Sequence, residues 1–377
     1  MIKTLPVWRR ARHASAARLN HSRYLLISVA AIGGLLLLGK ANAEPVAECA
    51  GVTSPIEAWC GFQRPEDLEA LGNALIIGEY GGLDGSMPGR MVRFVPESGE
   101  RTVLYPNNRP VTRTAGDAGC PGPPGAAFAP HGIHIPPDES VLLAVNHGGR
   151  EAIEIFAIEG SDDQTQFNWQ GCVPLPDHVW ANDVVALPDG AMAVTHMMPK
   201  GSNEEAILKA EAEKAPVGNV IEWAPDSGWH DVPGSEGALP NGIEVSADGG
   251  TLYVNHYFGD QVVALDRASG KTLWSVPASA PDNSAWTDDG ILLVASHDHD
   301  LHTVFECNQH PLLPCAAAFK VVAIRASDGA HALIHHATGE EIMGEATVAV
   351  PFGGRIWFGS YVGDRIMGVP MPEIRFE

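Results

Sequence analysis

Along most of this chain, apolar residues do not recur with the three-to-four spacing of an amphipathic helix. They come in runs of four to six, each preceded by a turn and ended by a polar or aromatic pair. The unit reads LGNALIIGEY over residues 71–80, PDESVLLAVNH over 137–147 and PDGAMAVTH over 188–196. It returns as ADGGTLYVNH over 247–256, DDGILLVASH over 288–297 and FGGRIWFGSY over 352–361. Short apolar runs bounded by Gly, Pro, Asn and Asp mark β-strands joined by tight turns. Further strand-like runs lie between the copies at 91–95, 152–158, 219–223, 261–266 and 321–325. Six units of about four strands each predict an all-β, six-bladed propeller. A pair of β-sandwiches would account for the strands but not for six copies in one register. One segment departs from the pattern: residues 203–214 (NEEAILKAEAEK) predict a short charged helix within an insertion at about 202–215. Ser202 or Asn203 would cap it, with acids in its first turn.

A second regularity lies upstream of each unit. Counting back 14 to 16 residues from its last residue reaches Glu66, His131, Asn182, Asn241, Asn283 and Thr347. In a propeller the innermost strand of every blade runs beside the axis, so equivalent positions converge although they are far apart in sequence. Glu66-Asp67, Asn182-Asp183, Asn241 and Asp282-Asn283 therefore predict a ring of oxygen donors about a central tunnel. Ca²⁺ takes six to eight oxygens in flexible geometry, whereas amide oxygens are poor zinc ligands. Taken singly, Asn241-Gly242 or Asp183 reads as an ordinary turn. The shared register is what makes them a set.

The N-terminus adds a location. Residues 1–23 hold six basic residues and no acid, residues 24–38 are apolar, and Ala41-Asn42-Ala43 follows. That sequence predicts a secretory signal over residues 1–43, with a single propeller domain over 44–377. Fifteen apolar residues are short of the roughly 20 needed to span a bilayer, so no stable membrane insertion is expected after cleavage. The predicted setting is periplasmic or extracellular. The whole chain carries 24 basic and 46 acidic residues, a formal charge of −22; removing the seven basic residues up to Lys40 makes it −29. Such a chain lacks the basic footprint of a nucleic-acid binder and suits hard cations. Six cysteines in the exported part suggest disulfides. Fifteen connectivities are open, the short loops favouring Cys49–Cys60 and Cys307–Cys315, with Cys120–Cys172 left over.

Several of these stretches resemble the serum paraoxonases, calcium-dependent lactonases and arylesterases. The most specific is PHGIHIPPDESVLLAVNHGGREAIEIF over 130–156, which is similar to that family's PHGI, VNH and following strand. RPEDLEAL (64–71), ANDVVA (181–186), PNGIEVSADGGTLY (240–253), PDNS (281–284) and EATVAV (345–350) resemble its other motifs. The resemblance implies a six-bladed propeller with two Ca²⁺ ions. It assigns Glu66, Asn182, Asn241, Asp282 and Asn283 to a catalytic ion, and Asp67, Asp183 and the Ile133 carbonyl to a structural one. It makes His131 and His147 a histidine dyad and places His297 on the pocket wall. The family's disulfide between first and last strands cannot form, because no cysteine follows Cys315. Closure must then rest on strand pairing, with Cys49–Cys60 pinning the N-terminal segment. The charged helix also argues against the family's lipid association.

Ester or lactone hydrolysis needs a polarised carbonyl, an activated water and a stabilised oxyanion. Ca²⁺ supplies the first and last but lowers the pKa of water too little to dispense with a base. His131 is the expected base, with His147 relaying its proton, and an imidazole of ordinary pKa implies an acid limb near 6 to 7. A Ca²⁺-bound carboxylate, Asp282 or Glu66, is the competing base. Thr347, His196 and His256 are further pocket candidates. The run His297-Asp298-His299-Asp300-Leu301-His302 could hold zinc, although strand alternation points neighbours to opposite faces. No G-x-S-x-G elbow, phosphate loop or dinucleotide fingerprint is present. The expected activity is a Ca²⁺-dependent lactonase with promiscuous arylesterase activity on small molecules. The alternatives are a gluconolactonase-type sugar lactonase and a non-catalytic binding propeller stabilised by Ca²⁺.

Overall fold

The computed structural model describes residues 43–82, 87–188, 190–339 and 342–376. The predicted signal segment lies outside these, apart from Ala43. Among the described residues twenty-six strands form six antiparallel sheets, each a blade of a propeller. The blades begin with the inner strands Pro65–Leu71, Pro130–His134, Val179–Ala186, Pro240–Val245, Pro281–Trp286 and Val348–Phe352. Every inner strand packs against the next one round, and the sixth against the first. The apolar run of each repeated unit is the second strand of its blade, as in Val141–Asn146 and Ile291–His297. These runs are apolar on both faces because blades stack on both sides of them. One apolar cluster fills each gap between blades. Leu68, Leu75 and Phe94 meet Val348, Val350 and Trp357 between the first and sixth, for example.

The ring closes through strand exchange. Glu57–Cys60, from the N-terminal segment, pairs antiparallel with Arg365–Pro370 as an outer strand of the sixth blade. Ala47–Glu48 adds to its edge, while Glu44–Pro45 pairs with the outer strand of the first blade. The disulfide Cys49–Cys60 ties this segment, and Cys120–Cys172 and Cys307–Cys315 are also formed.

The predicted helix, here α1, spans Glu204–Glu213 and is capped by Asn203, whose side chain accepts from Ala206 N at 2.9 Å. A second helix, α2, spans Leu301–Asn308, capped by Asp300. The sequence analysis predicts no helix here, because Thr303, Val304 and Phe305 are poor helix formers and only the cap signals it. No described helix is long and apolar enough to cross a membrane.

Candidate active site

The site is built where the six inner strands begin. Pairing with the second strand slips just after Pro65, Pro130, Ala181, Pro240 and Pro281. A bulge breaks strict alternation and re-aims side chains. Glu66 and Asp67 are therefore both buried at the centre although adjacent in sequence, as are Asn182 and Asp183, and Asp282 and Asn283. The entry residues Arg64, Leu239, Ala280 and Glu345 hold left-handed φ of 52°, 53°, 37° and 52°. Such conformations concentrate at functional sites. Below these positions all six inner strands line an axial cavity of about 1030 Å³, with Asp67, Ile133, Asp183 and Asn283 in its wall.

Four buried oxygens in this ring have no hydrogen-bond partner: Glu66 Oε2, Asn182 Oδ1, Asn241 Oδ1 and Asn283 Oδ1. The other polar atoms orient them. Asn283 Nδ2 donates to Glu66 Oε1 at 3.0 Å, and Asn241 bonds the Asp282 carboxylate. Burial, then the neighbouring carboxylates, holds Glu66, Asp183 and Asp282 well above the usual carboxylate range, and burial pushes Asp67 up to about 7. Only amide and backbone hydrogen bonds oppose this. Orphaned oxygens beside carboxylates that lack a counter-charge are the donor set a hard cation requires.

Asp67 and Asp183 hold the blades together as well. Asp67 accepts from Leu68 N at 2.8 Å and from Ile133 N on the second blade at 2.7 Å. Asp183 accepts from Val184 N at 2.7 Å and from Ile243 N on the fourth blade at 2.9 Å. A Cβ at Gly132 would lie 2.3 Å from Asp183 Oδ1, and one at Gly242 would lie 2.4 Å from Asp282 O. Only glycine permits these approaches. Thr195 Oγ1 donates to Asn241 O at 2.6 Å, and Asn255 Nδ2 donates to Asp282 O, each reaching the next blade. Thr347 is spent likewise: its hydroxyl donates to Glu66 O at 2.5 Å, and its carbonyl accepts from Asn283 N at 2.9 Å.

Beside the ring stands a chain of titratable groups. His131 Nε2 lies 3.8 Å from Glu66 Oε1, and His131 Nδ1 is 3.1 Å from His147 Nε2. His147 Nδ1 meets Glu151 Oε2 at 2.7 Å, and Glu151 Oε1 meets Lys200 Nζ at 3.2 Å. Lys200 is half exposed, so the chain runs from the centre to solvent. With Glu151 as the terminal acceptor, His147 donates through Nδ1 and accepts at Nε2. His131 then keeps its Nε2 lone pair for the centre. Burial, with His147 and Arg64 close by, lowers the His131 pKa well below 6.5. The ordinary imidazole pKa assumed from sequence is thereby corrected. Sequence reading missed Glu151, which the bend between two strands brings back onto His147 and which no strand or helix spacing signals.

The structure separates the remaining candidates. Pro65, Pro130, Ala181, Pro240 and Pro281 pair with Glu79, Asn146, His196, His256 and Ser296. Tyr80, His147, Met197, Tyr257 and His297 therefore share one register, and His196 and His256 fall one residue earlier. A one-residue step turns a strand side chain to the other face. His196 packs against His178, with ring centroids 5.6 Å apart, and His256 against Gly237. His297 stays with the centre: its Nε2 lies 3.7 Å from Asp282 Oδ2 and its Nδ1 2.8 Å from Tyr257 Oη.

No protein-family model matches the chain, and no curated protein does. Among solved structures it is similar to a gluconolactonase from Xanthomonas campestris, at 18% identity over 88% of this chain and 97% of that one, with a TM-score of 0.45. It is also similar to the calcium-binding protein regucalcin from Agrobacterium tumefaciens, at 13% identity over 84% and 93%, TM-score 0.45. An aldose sugar dehydrogenase from Streptomyces coelicolor matches at 13% identity over 88% and 99%, TM-score 0.47.

Proposed function

We propose that this chain is an exported, Ca²⁺-dependent hydrolase that opens lactones and also cleaves aryl esters. The observation that carries this reading is the set of four orphaned oxygens, on Glu66, Asn182, Asn241 and Asn283, beside a histidine chain leading to solvent. In this reading Glu66, Asn182, Asn241, Asp282 and Asn283 hold the catalytic ion. Asp67, Asp183 and the Ile133 carbonyl hold a structural one. The bound ion supplies Lewis acidity toward the carbonyl and positive charge for the oxyanion. His131 Nε2 takes a proton from water, and the hydroxide adds to the acyl carbon. The acyl carbon–oxygen bond then breaks, and the leaving oxygen takes the proton back from His131. His147 and Glu151 hold the His131 tautomer and spread the imidazolium charge toward Lys200. Among the described hydrogen bonds the dyad touches no serine or cysteine, which supports water as the nucleophile. Three disulfides support an oxidising compartment.

The test is metal content and hydrolysis of a lactone and aryl-ester panel by the cysteine-oxidised protein, before and after chelation. Ca²⁺-restored lactonase activity supports the reading. Activity that survives chelation, or is blocked by a stoichiometric serine-directed phosphonate, overturns it. Turnover confined to sugar lactones would select the gluconolactonase-type alternative, and tight Ca²⁺ binding with no turnover the binding propeller.

A further inference from the structure

At the edge of the oxygen ring lies a group of different chemistry. His297 ends the second strand of the fifth blade, and His299 follows two residues later on the same side, their rings stacked with centroids 4.9 Å apart. Glu345 leads into the sixth blade and is fully buried, as is His297 to within 2%. One donor atom from each of the three lies within 4.8 Å of the other two.

The hydrogen bonds say which atoms are free. His297 Nδ1 is engaged by Tyr257 Oη at 2.8 Å, His299 Nδ1 by Asp300 O at 3.2 Å, and Glu345 Oε1 accepts from Tyr361 Oη at 2.9 Å. What remains is His297 Nε2, His299 Nε2 and Glu345 Oε2, all buried and all without a partner. Metal-binding histidines characteristically give their second nitrogen to a carbonyl or other acceptor, which fixes the ring and leaves the first for the ion. Here every candidate ligand is held by its other atom.

We propose that His297, His299 and Glu345 form a second kind of metal site, separate from the oxygen ring, for a divalent d-block cation of the zinc type. Two imidazoles and a carboxylate are a borderline-soft set that Ca²⁺ does not favour and Zn²⁺ or Co²⁺ does. Zinc bonds of about 2.0–2.1 Å place donors roughly 3.3 Å apart, a contraction that small side-chain rotations supply. Asp282 Oδ2, 3.7 Å from His297 Nε2, stays with the oxygen ring, and water completes the set of donors. The sulfurs of Cys307 and Cys315 also approach Glu345 but are bonded to one another. A surface cavity of about 400 Å³ with Tyr257, His297 and His299 in its wall provides the entry path. Bound there, the ion joins the fifth blade to the strand entry of the sixth.

The experiment uses the full chain with Ca²⁺ kept saturating. Zn²⁺ is titrated against a chromophoric chelator, and Co²⁺ is followed by visible absorption. One Zn²⁺ per chain, and Co²⁺ bands of a four- or five-coordinate nitrogen-ligated ion, are expected. His299→Ala and Glu345→Gln each weaken Zn²⁺ binding at least tenfold, while His302→Ala, at an exposed histidine of α2, leaves it unchanged. Unchanged unfolding temperatures in metal-free buffer show that both variants fold. Wild-type affinity in both variants, loss of binding in His302→Ala, or displacement of Zn²⁺ by excess Ca²⁺ overturns the proposal. Should the variants not fold, the wild-type Co²⁺ spectrum decides, and purely octahedral bands overturn it.

Discussion

Replacing Asp183 by asparagine separates two roles of one carboxylate. Its oxygens accept from Val184 N at 2.7 Å and Ile243 N at 2.9 Å, joining the third blade to the fourth. Asparagine retains one acceptor, so its amide nitrogen faces the second N–H and two donors meet. The change removes one backbone hydrogen bond, about 0.5–1.5 kcal/mol, and leaves a buried N–H unsatisfied at about 1–3 kcal/mol. The total is about 2–4 kcal/mol, and at roughly 1.5 °C per kcal/mol for a domain of this size the midpoint falls roughly 3–6 °C. The hydrogen-bond loss itself needs no metal, but in chelator it is partly offset, because the neutral amide also removes a buried carboxylate that repels Asp67. Asn241→Ala is the contrast. Its Oδ1 has no partner, so in chelator the variant loses only the amide bond to Asp282, about 1 kcal/mol. In Ca²⁺ it also forfeits a ligand; a 10- to 100-fold weaker Kd removes about 1.4–2.7 kcal/mol of the ion's stabilisation. Differential scanning calorimetry of both variants, with and without Ca²⁺, reads the four numbers. If Asp183→Asn is destabilised only when Ca²⁺ is present, the interblade hydrogen bonds do not carry the stability assigned to them.

His131→Gln, which keeps polarity and reach but not the titrating nitrogen, should lower kcat on lactones roughly 10²- to 10⁴-fold with little change in Ca²⁺ affinity; near-full activity would transfer the base to Asp282. In the wild type the acid limb of kcat/KM should lie below 6.5, since burial lowers the His131 pKa and the base fails only once it protonates; a limb at 6.5 or above in steady-state rates counts against His131. Glu151→Gln should lower kcat more than it changes KM and displace that limb, because His147 loses its carboxylate acceptor; identical pH profiles would reduce Glu151 to a packing role. In chelator the fold should lose stability as pH rises from about 4 to about 7, because the unfolded Asp67 ionises at its ordinary value and the folded one only near 7. Ca²⁺ should reverse the trend and release protons on binding, measurable by calorimetry in buffers of different ionisation enthalpy.

Turn–strand repetition was enough to count the blades, because each second strand is apolar on both faces and bounded by turn residues. Register was less legible. VNH occurs identically at 145–147 and 254–256, yet Pro130 pairs with Asn146 and Pro240 with His256. The homologous place in the fold is thus His147 in one blade and Tyr257 in the other. The step is set by the partner strand across a bulge, which a single strand does not display. The same bulges put Glu66 beside Asp67 at the axis, against simple alternation, so the ring was found from recurrence between blades. Glu345 was invisible for another reason: its carboxylate meets His297 and His299 only when the fifth and sixth blades are brought together.

The centre and the closure of the ring are one problem in this chain. No disulfide links first strand to last, so the outer closure rests on four residues, Glu57–Cys60, pairing with Arg365–Pro370. At the axis the fifth, sixth and first blades meet through Asn283 N to Thr347 O, Thr347 Oγ1 to Glu66 O and Asn283 Nδ2 to Glu66 Oε1. The two bonds to Glu66 span 217 and 281 residues of sequence, and their formation requires the whole propeller to be in place. The orphaned oxygens come from the first, third, fourth and fifth blades. A cation held by them draws those blades to one point and offsets the mutual repulsion of Glu66, Asp67, Asp183 and Asp282, which otherwise opposes closure. At a thousand times its Kd such an ion contributes about 4 kcal/mol, comparable to a disulfide closing a long loop. An axial cation can therefore take over the closing role that a first-to-last disulfide would fill, and on the proposed reading the ring is then a structural requirement of this sequence whatever chemistry it performs.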